Sequence, residues 1–413
     1  MSLAIANALL DGEKVGLRCE EGTIATLGPD VVAEPGDETI DAAGAHLVPP
    51  LVNGHTHAAM TLFRGSGGDL PLMPWLEERI WPIEAKLEAE DVYRGALLAC
   101  AEMVRSGASR FWDMYWQPEA TARAVEETGM RAAIGAPLID LGGAHEQLRD
   151  SALRSLDALA EFGPLISPAL APHAIYTVSE ESLRWIGELS AERQVPVQIH
   201  LSETEKEVHD CIAEHGCRPA SYLDRLGLLG ERTILAHGVW LDPDELALIA
   251  ERGATVVANP AANMKLAVGG VFPHPGARAA GVAVGLGTDG AGSNDSLDLL
   301  SDLKLFALTQ KHAAGDPTAI DAAEAWAVAT GARAPLLGAT PLTIGAPADF
   351  LLLDPASPEL GIGDLTEGLV YAANTAAVDT TVVAGRVLMR GNEIEGIEEI
   401  VARAAERAHR LGL

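Results

Sequence analysis

The chain reads as an α/β protein built on a (β/α)8 barrel, and three observations predict this. Between about residues 50 and 340, short apolar runs alternate with longer amphipathic segments, the texture of repeated βα units. Eight such runs can be counted, each followed by helical sequence, which is the number that closes a parallel barrel. Ionisable residues stand at the C-terminal ends of several of these runs, the end at which barrels of this kind carry their chemistry.

The strand candidates are Leu47 to Asn53, Ser109 to Met114, Arg131 to Pro137, Ile166 to Pro172, Val195 to Leu201, Thr233 to Ala236, Ala254 to Ala258 and Val282 to Gly287. Helical segments such as Ala120 to Thr128 and Leu153 to Phe162 fill the gaps. Residues 1–50 have no helical period and read as short strands with turns, for example Thr23 to Leu27 after Glu21-Gly22. The same texture returns in Ala348 to Leu353 and Thr380 to Leu388, so the two ends are expected to pair as one small β-sandwich. The expected division is therefore a barrel over residues 51–340, flanked by a sandwich that residues 1–50 begin and residues 341–413 complete, the latter adding a last helix. That helix, Ile397 to Leu411, has apolar Ile400, Val401, Ala404 and Ala408 at helical spacing.

At 413 residues the chain can bury a large core, and its 48% hydrophobic and 21% charged residues are ordinary for a soluble enzyme. No apolar run reaches the ~20 residues needed to span a bilayer. Met1 to Leu10 lacks the basic start and small-residue cleavage site of an export signal. Cys19, Cys100, Cys211 and Cys217 lack a disulfide-framework spacing, which fits a reducing cytoplasm. The net charge of -30, from 59 acidic against 29 basic residues, would repel a phosphate backbone or an anionic membrane. Nucleic acid and membrane are thus excluded as expected partners, and a small molecule remains.

In Pro49-Pro50-Leu51-Val52-Asn53-Gly54-His55-Thr56-His57 an apolar run ends in two imidazoles one residue apart. Side chains alternate along a strand, so both rings face one way and can grip one divalent metal. An isolated His-x-His is more often a polar turn, and the remaining strand ends decide the matter. His173 ends the fourth run, His200 and Glu203 the fifth, His237 the sixth and Asp289 the eighth. Each alone could be a cap or a satisfied loop residue; together they share one cavity. His55, His57, His200 and Asp289 offer three nitrogens and one carboxylate, a sphere suited to Zn2+ and usable by Fe2+, with one position left for water. Such an ion lowers the pKa of its water towards ~7. Glu203 can shuttle a proton between that water and a substrate, while His237 and Asp289 can hold the oxygen. Ser293, beyond the Gly287 to Gly292 loop, fits a substrate hydrogen bond or a helix N-cap near Asp295 equally well. A second group, His209, Cys211, His215 and Cys217, has metal-binding residue types, but helical spacing turns residues 209 and 211 apart.

Gly54-His55-Thr56-His57, His200-Leu201-Ser202-Glu203, Ala236-His237-Gly238 and Gly287-Thr288-Asp289-Gly290-Ala291 together resemble the amidohydrolase superfamily. Within it the chain is similar to the methylthioadenosine/S-adenosylhomocysteine deaminase family. That closer likeness rests on His57 to Gly65, Trp75-Leu76, Ile80-Trp81-Pro82-Ile83-Glu84, Asn259-Pro260-Ala261 and Asn263-Met264-Lys265-Leu266. The resemblance implies hydrolytic deamination of an adenine nucleoside at purine C6, giving ammonia and an inosine-type product. It also implies one divalent metal, most readily Zn2+, and a homo-oligomer. By matching motif positions, Glu84 would hold the ribose hydroxyls, His173 the purine ring, and Glu203 would protonate the ring nitrogen beside the attacked carbon. Taken by themselves, Glu84 reads as a solvated helix carboxylate, and Trp75 and Trp81 as core or lid packing. Arg64 to Pro74, rich in Gly and Pro, becomes a candidate lid.

One departure bears on substrate. Relatives that accept S-adenosylhomocysteine are expected to offer arginine near the third and fourth barrel loops for its carboxylate. Here Ala136 stands where an arginine would suit, and Leu141 to Gln147 contains none, with Arg149 the nearest alternative. Methylthioadenosine, 5'-deoxyadenosine or adenosine are therefore expected ahead of the homocysteine conjugate. The rival is another ring deaminase on the same site, acting on guanine, 8-oxoguanine, cytosine or a triazine. A binuclear hydrolase would need a lysine near the end of strand four, and Ile166 to His173 has none.

Overall fold

The computed structural model describes residues 2–66, 69–141 and 143–413. Met1, Gly67 and Gly68 of the glycine- and proline-rich stretch, and Gly142 in the Leu141 to Gln147 loop lie outside the described residues.

Strands Leu51–Thr56, Ala108–Met114, Arg131–Gly135 and Ile166–Pro168 pair side by side and in parallel. Strands Val197–Leu201, Thr233–His237, Thr255–Ala258 and Ala283–Leu286 form a second parallel set. The sets meet where Leu170 bridges to Val197 and Ala174 to His200. They meet again where Asp289 N donates to the His55 carbonyl at 3.1 Å. The ring so formed is a (β/α)8 barrel. Inward-facing Val52, Trp112, Ala133, Ile234 and Val257 pack with Leu337 to fill its floor. A Cβ on Gly285 would lie 2.2 Å from Leu337 Cδ1, so glycine is needed there for Leu337 to seal the bottom.

Prolines explain where the observed strands differ from the expected ones. The run Leu47 to Asn53 is two strands, His46–Val48 and Leu51–Thr56, divided at Pro49-Pro50, which offer no N–H to a ladder. His46–Val48 pairs antiparallel with Phe350–Leu353 in the end sheet, whereas Leu51–Thr56 opens the barrel. The third and fourth runs are likewise interrupted, into Arg131–Gly135 with Pro137–Leu138 and Ile166–Pro168 with Ala171–Pro172. At Leu170 the fourth strand changes partner, donating to the Pro196 carbonyl and accepting from Gln198 N.

Strands from both chain ends join in one eight-stranded sheet. Its own core includes Leu3, Leu17, Leu47, Phe350 and Val382. Helix Ile397–Leu411 matches its expected bounds, yet it leaves that sheet and lies on barrel helix Ala89–Arg105. There Arg407 and Arg410 pair with Asp91, which is fully buried. Ala404 and Leu411 face inward, while Val401 is 48% exposed and off the packed stripe. Among the described residues no helix is long and apolar enough to cross a membrane.

Candidate active site

The barrel mouth gathers the side chains that end strands one, five, six and eight. His57 Nε2 lies 3.3 Å from His200 Nε2 and 3.2 Å from Asp289 Oδ1. His55 Nε2 lies 3.2 Å from His200 Nε2 and 3.5 Å from Asp289 Oδ1. His237 joins from strand six, with a ligand atom within 4.8 Å of those of His55, His200 and Asp289.

The outer ring nitrogens explain the arrangement. His57 Nδ1 donates to the Met114 carbonyl at 2.6 Å and His200 Nδ1 to the His173 carbonyl at 2.7 Å. His55 Nδ1 faces Gln198 Oε1 at 3.3 Å, and His237 Nδ1 faces Asn263 Oδ1 at 2.8 Å. With a proton on each Nδ1, all four Nε2 lone pairs point inward. Lone pairs at such range repel unless a cation lies between them, and the buried Asp289 Oδ1 faces the His57 and His55 Nε2 atoms at 3.2 and 3.5 Å. Ligands about 2.0–2.1 Å from a tetrahedral Zn2+ stand roughly 3.3 Å apart, close to the four separations here. The donor set fits a divalent ion.

Burial and charge reinforce this reading. Burial raises Asp289, but His55 and His57 outweigh it and hold its carboxyl well below the usual range. Burial alone would lower His57, yet Asp289 lifts it to about 9, so the site draws a proton to the place where a cation fits. Burial takes His55 to about 4 and pushes His200 and His237 down. Glu203 is buried, and burial with the Asp289 charge raises it to about 8, so its carboxyl holds a proton at neutral pH. His237 and Asp289 both have left-handed backbones, φ 77° and 60°, rare for residues other than glycine and held here at strand ends.

Ser293 does not cap a helix: the next one, Leu299–Ala314, is capped by Asp298. Its hydroxyl donates to Asp289 Oδ2 at 2.6 Å and so orients that carboxylate. Gly290 and Gly292 leave space for Met60 and Trp75, since a Cβ on either would meet Met60 below 3 Å.

A cavity opens above the cluster, lined at its base by His57, His200, Glu203, His237, Asp289 and Ser293. His173 also lines it, its Nδ1 3.0 Å from the Thr177 hydroxyl, and burial keeps the imidazole neutral, with a pKa of about 3. One wall is the helical segment Leu72–Glu84, which presents Leu72, Trp75, Leu76, Ile80, Trp81 and Glu84. Its middle, Leu76–Ile80, is wound wider than an α-helix, because Pro82 cannot donate back to the preceding turn. Trp75 is buried, and among the described residues its indole N–H has no hydrogen-bond partner. Burial raises the Glu84 pKa, opposed by the facing Trp116 and Tyr115 donors.

Two expectations move. Ala136 does not face the cavity; it packs behind the strand with Leu138, Ala152 and Leu170. Pro137 and Ile139 are the residues that line the mouth there. Arg149 is turned away, donating to Glu181 at 2.8 Å and stacking over Trp185. Among the described residues lining the cavity there is no arginine or lysine. The His209 to Cys217 group does not converge: Cys211 Sγ bonds the Cys217 carbonyl and His215 stacks on Tyr222.

Gln198, Tyr115 and Trp116 escaped the sequence reading, and Asn263 entered it only inside a family motif, without a role. Gln198 carried a usable signal, since it shares a strand face with His200 two residues on. The other three reach the site from loops and a short helix, whose direction no periodicity reveals.

The profile of the amidohydrolase family matches residues 46–388. A 5'-deoxyadenosine deaminase of Methanoregula boonei is 47% identical over 95% of this chain and 90% of its own length. The 5-methylthioadenosine/S-adenosylhomocysteine deaminase 1 of Archaeoglobus fulgidus is 41% identical over 96% of this chain and 94% of its own. In solved structures, a zinc-bound adenosine deaminase from Xanthomonas campestris superposes with a TM-score of 0.92 at 34% identity, covering 100% of this chain and 98% of that one.

Proposed function

Since the chain belongs to the amidohydrolase family, we propose that it is a metal-dependent hydrolytic deaminase of adenine nucleosides. The substrates are 5'-methylthioadenosine, 5'-deoxyadenosine, adenosine and related 5'-substituted forms, and the products are ammonia and an inosine-type nucleoside. The observation that carries this reading is the joining, in one cavity, of inward-facing histidine lone pairs with a buried Glu203 whose carboxyl holds a proton at pH 7.

His55, His57, His200 and Asp289 hold the ion, and Zn2+ is the ion their donor types favour. When bound, the ion supplies Lewis acidity that brings a water pKa towards ~7. Glu203 gives its proton to the ring nitrogen beside C6, which makes that carbon electrophilic, and then carries a water proton towards the leaving amine. His237, anchored through Nδ1 on Asn263, and Asp289, anchored by Ser293, orient the attacking oxygen. His173 lies along the purine edge, and Glu84, set between Tyr115 and Trp116, takes the ribose hydroxyls. Trp81, Leu72 and Met60 supply apolar walls that keep bulk water from the reacting carbon.

Uncharged 5' substituents suit the cavity better than the homocysteine carboxylate, because Pro137 and Ile139 offer it no cation. The cytoplasm is the inferred setting, supported by four unpaired cysteines, three of them buried. A homo-oligomer is inferred from the family likeness, and light scattering measures it directly.

An ammonia-release screen tests the activity, with adenine nucleosides beside free guanine, cytosine and 8-oxopurines. Turnover of nucleosides supports the proposal, and turnover of free bases alone refutes it. Glu84→Gln tests the ribose contact: unchanged nucleoside kcat/KM would remove Glu84 from that role.

A further inference from the structure

Asp302 is 1% exposed and lies in the first turns of helix Leu299–Ala314, outside the cavity. Among the described residues it has no ion-pair partner, and burial pushes its pKa up to about 8, so it stands in the interior as a polar carboxyl group whose oxygens must be matched by hydrogen bonds. Its two oxygens reach a short helix and a loop. Oδ1 accepts from Ala261 N at 3.2 Å, and Oδ2 accepts from Asn294 Nδ2 at 2.9 Å.

Each contact leads to the site in two steps. Asn294 Nδ2 also donates to the Thr288 carbonyl at 2.7 Å, next to Asp289. Ala261 lies in the first turn of the short helix Pro260–Lys265, on which Asn263 accepts from His237 Nδ1 at 2.8 Å. The two residues at the ends of these chains, Asp289 and His237, both have left-handed backbones, φ 60° and 77°, as Ser202 beside them also does. Such conformations persist only where surrounding contacts over-determine them.

We propose that Asp302 is a positioning residue: one buried carboxyl group ties the Asp289 loop to the helix bearing Asn263, and so sets Asp289 and His237 relative to each other. The inference rests on the deaminase reading above for its kinetic consequence, though not for its geometric one. It acts only through Asn294 and Ala261 and touches no substrate.

The test compares Asp302→Asn and Asn294→Ala with Asp349→Asn in the metal-loaded enzyme. Asp349 is an equally buried carboxylate, but it binds Arg131 and Ala384 N at the end-sheet side of the barrel. Asp302→Asn and Asn294→Ala are expected to lower kcat for nucleoside deamination by roughly 10-fold to 100-fold, the scale of a small misplacement of catalytic groups. Their KM should stay within about threefold, since ground-state binding is untouched. Metal loss to a chelator should be roughly tenfold faster, as expected when a group that orients a ligand is removed. Asp349→Asn should lower Tm with kcat and metal-loss rate unchanged. The proposal is overturned if both site variants keep the parent kcat and metal-loss rate, or if Asp349→Asn matches their losses at equal Tm change. Should the parent release no ammonia from any nucleoside, the deaminase reading falls, and the metal-loss rates alone decide the role of Asp302.

Discussion

The Nε2 atoms of His57 and His200 lie 3.3 Å apart while the opposite nitrogen of each ring donates to a backbone carbonyl. Both Nε2 atoms therefore face the barrel interior, within 3.2 Å of Asp289 Oδ1 in the case of His57, where a shared cation can sit. Stripping divalent ions with a chelator is expected to abolish turnover and to lower Tm. The stability lost is about 4 kcal/mol if the ion is normally present at a thousand times its Kd. One equivalent of Zn2+ should restore both, and metal titration followed by calorimetry and ammonia release checks it. An ion-free enzyme with full activity would be the contrary result.

Glu203 lies within 3.9 Å of His237 Nδ1 and is raised to about 8 by burial and Asp289. Glu203→Gln keeps the shape but cannot cycle a proton, so kcat should fall by roughly 10^2 to 10^4. Metal content should stay near that of the parent, because Glu203 is not among the proposed ligands. Steady-state rates together with elemental analysis separate loss of proton transfer from loss of metal.

Ile139 lines the mouth at the place where a carboxylate-bearing 5' substituent would need a cation. The parent is expected to show a higher kcat/KM for methylthioadenosine than for S-adenosylhomocysteine. Ile139→Arg should raise the value for the homocysteine conjugate by roughly tenfold or more, the scale of one charge-assisted hydrogen bond. Competition assays with both nucleosides report the ratio directly, and a parent that prefers the conjugate would contradict the reading.

His274 is buried, among the described residues neither ring nitrogen has a hydrogen-bond partner, and the ring packs edge-on against Phe306. Burial depresses its pKa to about 4; the nearby Glu324 charge opposes that shift, while Arg278 and Arg333 add to it. The folded state therefore binds fewer protons than the unfolded chain between about pH 4 and 6.5. The stability that neutral His274 supports is fully present above pH 6.5 and is lost as pH falls towards 4. Replacing it with Phe should flatten the Tm difference across that window, and thermal melts of parent and variant at matched pH measure it. Parallel Tm curves would show that His274 does not titrate in this way.

Much of the site was legible in the sequence because strand alternation is a rigid rule. His55 and His57 end the same strand, and in the chain order of βα units the other ionisable strand ends can only meet at one rim. Trp75, Trp81 and Glu84 were legible only through family likeness, because the wide turn at Leu76–Ile80 breaks the helical period that would have aimed them. The reading of Ala136 failed for a related reason. Prolines split that strand, and a shift of one residue exchanges the cavity face for the helix face, leaving Pro137 and Ile139 inside.

By itself, then, the sequence determined the βα rhythm, the pairing of both chain ends outside the barrel, and the imidazoles and carboxylates at the strand ends, all of which follow from local period and spacing. Only the tertiary structure decided which way each histidine carries its proton, that Ser293 serves Asp289 rather than a helix, and that Asp302 joins the Asp289 loop to the helix bearing Asn263. Those outcomes depend on hydrogen-bond partners far apart in the chain, such as Gln198 for His55 and Asn294 for Asp302. No local pattern encodes a contact whose partner arrives from another strand.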